Sequence, residues 1–116
     1  VNQLKFPADL PNPTSMVVEC GKELDREEVL RCFMRHLGSF YEALERGEKR
    51  AIEELYRQTM YHLGEEHTYA YPSGERFRAT IRGVRPSGEL RLEHTDGSVR
   101  EYAFKEVEFV LPHKER

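Results

Sequence analysis

The spacing of apolar residues changes once along the chain, close to Gly64, and this change restricts the possible folds more than any other feature. Before Gly64, apolar residues recur every three or four positions, as they do along one face of an α-helix. After it they alternate with polar residues, which is the pattern of half-buried β-strands. The sequence therefore predicts an α+β fold, with a helical segment first and a sheet after it.

The helical segment is predicted to contain one short helix and two main helices. Thr14 is the expected N-cap of the short helix, which ends at Gly21, although β-branched residues within it also fit a short strand. The first main helix begins at Asp25, whose carboxylate suits the positive end of a helix, and stops at Gly47. The second covers about 48–60. The first main helix carries an apolar stripe made of Val29, Leu30, Phe33, Leu37, Phe40, Tyr41 and Leu44.

Five short strands are predicted in the second half of the chain. Each of the three tight turns expected between them contains a glycine, and Asp96-Gly97 between alternating segments is typical of a hairpin. Many short strands in so few residues suggest a small SH3-like β-barrel, which hides its sheet edges by closing. We therefore expect two domains, residues 1–64 and residues 65–116. The strands are placed at 66–72, 76–84, 88–94, 98–104 and 107–111.

Charge and composition argue against several classes of partner. The net charge is −3, and the 18 basic residues are mixed among 21 acidic ones without a basic block, so we expect no nucleic-acid binding. No apolar run approaches the ~20 residues that cross a bilayer, so we expect no membrane span. The two cysteines form no CxxC pair and suit a reducing compartment, so we predict a cytoplasmic protein.

The chain begins at Val1 without a methionine, and we interpret it as part of a larger protein.

The sequence contains no recognisable catalytic constellation. The phosphate-binding patterns GxxxxGK[ST] and GxGxxG are absent, and neither cysteine has an assigned histidine partner. His62 and His67 are five residues apart with two glutamates between them, and could in principle share a metal ion. No HExxH or comparable ligand frame accompanies them. We therefore predict no catalytic residue and no metal site in this chain.

The aromatic residues of the second half allow two interpretations. They can form the core of the barrel and its packing surface, or they can form an open platform for a ligand. The second interpretation would make the chain a non-enzymatic SH3-like protein-interaction module. The residues concerned are Tyr69, Tyr71, Phe77, Tyr102, Phe104 and Phe109.

Several segments, in this order, resemble the C-terminal portion of the biotin protein ligases. Val1-Asn2-Gln3 is similar to the end of the family's GIGINVN segment, and Pro13-Thr14-Ser15-Met16 is similar to its ATSL. The most specific likeness is ATIRGVRPSGELRLEHTDGSVREYAFKEVEFV, where the family shows a GxIxGID-x-x-G-x-L-x-L strand pair, a glycine turn and a closing acidic-Val strand. The resemblance extends over nearly the whole chain.

The resemblance implies a parent enzyme that uses ATP and Mg²⁺ to convert biotin into biotinyl-AMP. Such an enzyme then transfers the biotin to a lysine of the biotin carboxyl carrier protein. The family's biotin loop, its KWPND segment and the catalytic lysine of KxxGIL all lie upstream of the part that this chain matches. The resemblance thus implies a fragment that is inactive alone, whose partners are the carrier domain and the rest of the catalytic domain.

Two groups of site residues follow from the resemblance. Asn2 offers a donor and an acceptor on one amide, as an adenine edge requires, and Pro13 stands where the family usually has alanine. In the barrel, the cation of Lys105 could meet a phosphate or an acidic carrier surface, or it could be one half of a solvated pair with Glu106. The ATP/adenine group is Asn2, Pro13, Thr14 and Ser15. The barrel loop that faces ATP or the carrier is Phe104, Lys105 and Glu106.

Overall fold

The structure is a computed structural model, and it describes residues 1–111. Contacts within the described chain divide it into two compact units, Val1–Ile52 and Glu53–Leu111. This division lies earlier than the boundary at residues 64 and 65 that the change in periodicity suggested. The physical reason is that Met60 and Leu63, although they precede the first strand, pack against the core of the sheet.

The predicted order of three helices is confirmed. They are α1 (Met16–Cys20), α2 (Arg26–Glu45) and α3 (Lys49–Gln58). The segment for which a short strand was the alternative is therefore helical. Its N-cap is Ser15 rather than the expected Thr14, and it ends at Gly21, whose φ of 70° lies in the left-handed region that glycine adopts without strain.

Helix α2 begins as its sequence predicts, because the Asp25 carboxylate accepts a hydrogen bond of 2.9 Å from the backbone N–H of Glu27. The helix contains no buried residue. Its apolar stripe is therefore a surface of the described chain, and such a continuous apolar face usually marks an interface. The exposed members are Leu30, Phe33, Leu37, Phe40, Tyr41 and Leu44.

All five predicted strands are present, with ends trimmed by up to two residues. They pair antiparallel throughout and form one sheet in the order β4-β3-β2-β1-β5. The predicted glycine turns join β1 to β2, β2 to β3 and β3 to β4. The strands are β1 (Glu66–Ala70), β2 (Arg76–Val84), β3 (Leu90–His94), β4 (Val99–Tyr102) and β5 (Glu108–Phe109).

The sheet is open, so the predicted closure into a barrel is not seen within residues 1–111. The last strand pairs with β1 at the opposite edge from β4, through only two residue pairs. Between β4 and β5 the chain turns at Lys105, which adopts a left-handed φ of 68°. Because β5 is so short, it extends the β1 edge without reaching β4.

The core lies on one side of this sheet. Ile81 of β2 and Leu92 of β3 are directly paired and almost completely buried, at 1% and 0% exposure. A register shift follows between Ile81 and Gly83, whose φ of 143° accommodates the bulge. The other buried apolar residues are Tyr69, Ala79 and Tyr102. None of the described helices is long and apolar enough to cross a membrane.

Candidate functional site

Asn2, the predicted adenine residue, is held by the backbone of Leu24. Its side-chain N–H donates to the Leu24 carbonyl at 2.7 Å, and its side-chain oxygen accepts from the Leu24 N–H at 3.1 Å. The pair joins the start of the chain to the residue just before the N-cap of α2. One amide hydrogen and one lone pair of Asn2 remain for another ligand. The amide is thereby fixed in orientation, as a residue that reads a flat heterocycle would have to be.

Ser15 and Thr14 lie beside the same N-terminal segment. The Ser15 hydroxyl donates to the Gln3 carbonyl at 2.5 Å, and the Val17 N–H donates to the Val1 carbonyl at 3.0 Å. Thr14 instead donates from its hydroxyl to the carboxylate of Glu19 at 2.6 Å. Of the predicted strip at 13–15, the structure thus joins Ser15 to residues 1–3 directly, whereas the Thr14 side chain bonds to Glu19.

The predicted loop at 104–106 belongs to the second unit, Glu53–Leu111, which we call the sheet unit. It is a tight turn after β4. Phe104 is 91% exposed, and the ammonium of Lys105 lies 5.5 Å from its ring centroid. Glu106 is engaged locally, because its carboxylate accepts a hydrogen bond of 2.7 Å from the Ala103 N–H. Glu106 therefore supports the turn, whereas Phe104 and Lys105 are presented on its surface.

The predicted aromatic platform is mostly packing. Tyr69 and Tyr102 are buried, and the rings of Tyr71 and Phe77 stack at 4.5 Å between centroids. The Tyr102 hydroxyl lies 2.7 Å from Nε2 of His94. Of the two interpretations that the sequence allowed, the structure thus favours core packing for four of the six aromatic residues.

Burial also changes the acidity of both core tyrosines. Removal from water raises the pKa of Tyr69 to about 12. Burial, followed by the hydrogen bond with Tyr71, raises the pKa of Tyr102 to about 12 as well. Both phenols therefore stay protonated to a higher pH than an exposed tyrosine does.

A further cluster of polar side chains lies in the turn before β1 and at the start of that strand. It contains the two histidines for which the sequence predicted no metal site. Nδ1 of His62 and Nε2 of His67 are 2.8 and 3.0 Å from the same oxygen of Glu65. These hydrogen bonds, the one with His67 first, hold the pKa of the Glu65 carboxyl below its usual value. The spacing of the two histidines suggested a shared ion but not this convergence on one oxygen, which involves a left-handed φ of 57° at His62.

Comparison with known proteins gives one consistent finding. No protein-family model and no curated protein matches the chain. Among solved structures it is similar to the biotin protein ligase from Aquifex aeolicus, with TM-scores of 0.70 for the apo structure and 0.71 for a second crystal structure, at 20% identity. A third structure, of that enzyme in complex with biotin and ATP, gives a TM-score of 0.70.

The match extends over 93% of this chain but only 48% of the apo enzyme, so the chain spans about half the length of the protein it resembles. At this level of identity the likeness concerns the fold. The chain thus shares with the matched half of that enzyme a fold of three helices followed by a five-stranded sheet.

Proposed function

We propose that this chain is the C-terminal portion of a biotin–carrier-protein ligase. The observation that carries the proposal is the structural match to a biotin protein ligase over 93% of the chain. The segment likenesses at Asn2, at 13–16 and in the hairpin of β2 and β3 support the same family. One neighbour binds biotin and ATP, which are the two small substrates that the proposed enzyme would use.

The exposed stripe of α2 supports a parent larger than this chain. Large apolar residues such as Phe33, 60% exposed, and Leu37, 49% exposed, belong to a continuous face. A soluble protein rarely leaves such a face open to water. We infer that the half of the ligase absent from this chain covers it, which agrees with the partial coverage of the solved enzyme.

In the proposed reaction an oxygen of the biotin carboxylate attacks the α-phosphorus of ATP, and pyrophosphate leaves. The carrier lysine amine then attacks the acyl carbon of biotinyl-AMP, and AMP leaves as the amide forms. Magnesium would assist the first step by neutralising phosphate charge. This chain would contribute Asn2 and residues 13–15 to the adenine pocket, and the turn of Phe104 and Lys105 to the surface that meets ATP or the carrier.

The decisive test is a biotin-transfer assay on the parent protein, with and without residues 66–116. We expect the complete parent to biotinylate a carrier domain and the truncated parent to lose transfer. Biotin binding, measured separately, should survive the truncation because the family's biotin motifs lie upstream. The chain of 116 residues alone should catalyse no biotin-dependent exchange of pyrophosphate into ATP. A parent without biotin-transfer activity, or exchange by this chain alone, would contradict the proposal.

Replacement of Asn2 by alanine in the parent should weaken ATP binding by roughly tenfold or more, since it removes an oriented amide that would otherwise pair with the base. Biotin affinity should change much less. Gln3→Ala is the matched control, because within residues 1–111 the Gln3 side chain donates to the nearby Lys5 carbonyl at 2.8 Å and not to Leu24. The dissociation constants of both substrates are measured by calorimetry. Equal losses for ATP and biotin would instead assign Asn2 the purely structural role of holding Leu24.

One observation favours a second candidate, a protein-interaction module. Phe104 is 91% exposed at the tip of a tight turn, where an aromatic side chain could insert into a partner's pocket. The reading frame upstream of Val1 distinguishes the two candidates. A frame that encodes a GIGIN segment and, further back, a KWPND-like segment supports the ligase, whereas a frame without them supports the module.

A further inference from the structure

Three side chains at the entrance to β1 place their ligand atoms close together. His62, Glu65 and His67 each direct one nitrogen or oxygen into a space where all three atoms lie within 4.8 Å of one another. The two imidazole rings are only 3.6 Å apart between centroids. The three side chains are 22%, 63% and 36% exposed, so an ion could reach them from solvent.

The backbone that holds these side chains is anchored to the sheet. Gly64 donates its N–H to the Ile81 carbonyl at 2.9 Å, and Leu63 forms a parallel bridge with the same residue. His67 lies within β1, opposite Ala79 of β2. The three side chains are therefore presented by a turn and a strand that are both hydrogen-bonded to β2.

The unusual backbone of His62 is part of this arrangement. Its φ of 57° is uncommon for a residue with a side chain, although histidine is among those that adopt it more often. This conformation brings its ring over that of His67. Glu66, the other carboxylate nearby, points elsewhere and pairs with Arg78 at 2.6 Å. One carboxylate and two imidazoles therefore converge, which gives the cluster a defined ligand set.

We propose that His62, Glu65 and His67 bind one divalent transition-metal ion of the Zn²⁺ type, with water in the remaining position. Two imidazole nitrogens and one carboxylate oxygen suit zinc and disfavour Mg²⁺ and Ca²⁺, which prefer oxygen ligands alone. Ligand atoms around tetrahedral zinc are about 3.3 Å apart, given bonds of about 2.0 Å. The nitrogen-to-oxygen distances of 2.8 and 3.0 Å need only a small opening to reach that value.

The bound ion would replace the hydrogen bonds that now join the histidines to Glu65. It would link the turn before β1 to the strand itself, and it would stabilise the sheet unit because the unfolded chain lacks the preformed site. This role is independent of the proposed ligase activity.

Calorimetric titration of the untagged, EDTA-treated 116-residue chain with ZnCl₂ tests the proposal. We expect one Zn²⁺ per chain, and at least a tenfold loss of affinity in both Glu65→Gln and His67→Gln. His36→Gln is the matched control, because His36 is an exposed histidine of α2. This variant should bind zinc with the same affinity as the unmodified chain. The melting temperature should rise by roughly 10 °C when free zinc is a hundredfold above its dissociation constant.

A second measurement keeps the result clear if a variant folds poorly. CoCl₂ bound by two imidazoles and a carboxylate should give a visible absorption band that Glu65→Gln abolishes, and Glu65 is an exposed residue whose replacement should leave the sheet intact. Affinity unchanged in both variants, or lost equally in His36→Gln, would mean adventitious surface binding and would overturn the proposal. Absence of any zinc binding would overturn it as well.

Discussion

Leu92→Ala should lower the free energy of unfolding of the sheet unit by about 3 kcal/mol. Leu92 is 0% exposed and sits opposite Ile81 on the two central strands that meet at the bulge. Its removal would leave a cavity bordered by paired strands, which cannot collapse without disturbing their hydrogen bonds. Urea unfolding followed by circular dichroism measures the loss, which would be a large share of the few kcal/mol that stabilise a small domain.

The matched control is the same change at a surface position. Leu55 of α3 is 44% exposed, so Leu55→Ala should cost only about 0.5 kcal/mol. Similar losses in the two variants would contradict the placement of the core between β2 and β3. A small loss of unfolding free energy in Leu92→Ala, with an unchanged slope of that free energy against urea concentration, would also contradict this placement of the core.

The sheet unit should lose stability as the pH rises from 9 to 11, because Tyr69 and Tyr102 are harder to ionise when folded. Both have a pKa of about 12 in the folded chain, against an ordinary value of 10.0. A pKa raised by folding means that the unfolded state releases its proton first, so the stabilisation is complete below pH 10 and declines toward pH 12. At pH 11 each tyrosine should account for about 1 kcal/mol of the loss.

Tyr69→Phe isolates one of these contributions. The Tyr69 hydroxyl is buried and has no hydrogen-bond partner within residues 1–111, so its removal should cost nothing at pH 7 and could add about 1 kcal/mol. Between pH 9 and pH 11, measured by urea unfolding, the variant should lose about 1 kcal/mol less than the unmodified chain. Identical losses in the two proteins would show that lysines and other groups account for the alkaline effect.

The order and type of the elements could be predicted because each depends on local chemistry. Alternating residues specified β2 and β3, and the glycine of the Asp96-Gly97 turn fixed a hairpin where a φ of 82° is required. The predicted closure of the sheet into a barrel is not seen within residues 1–111. Closure depends on where the last strand docks, and the two residues of β5 contain too little pattern to specify an edge.

The candidate site also contains contacts that no local sequence pattern could specify. Family-like segments predicted Asn2 and Ser15 as site residues, but not that Asn2 is held by Leu24, because that pairing spans 22 residues and leaves no local pattern. For the cluster around Glu65, the sequence indicated that two histidines could share a metal ion, but the lack of a ligand frame such as HExxH led to a prediction of no metal site. Its two histidines are five residues apart, a spacing that neither a regular helix nor a strand would bring onto one face.

The pairing of β5 with β1 has a consequence for how the sheet assembles. Strands β1 to β4 are joined by short turns, so each new strand meets a neighbour that is already present, and loop closure costs little at every step. The contact of Phe109 with Tyr69 must instead wait for the end of the unit. A ribosome that has released only the first four strands would hold a meander whose β1 edge is still unpaired, and the two-residue strand β5 covers part of that edge last.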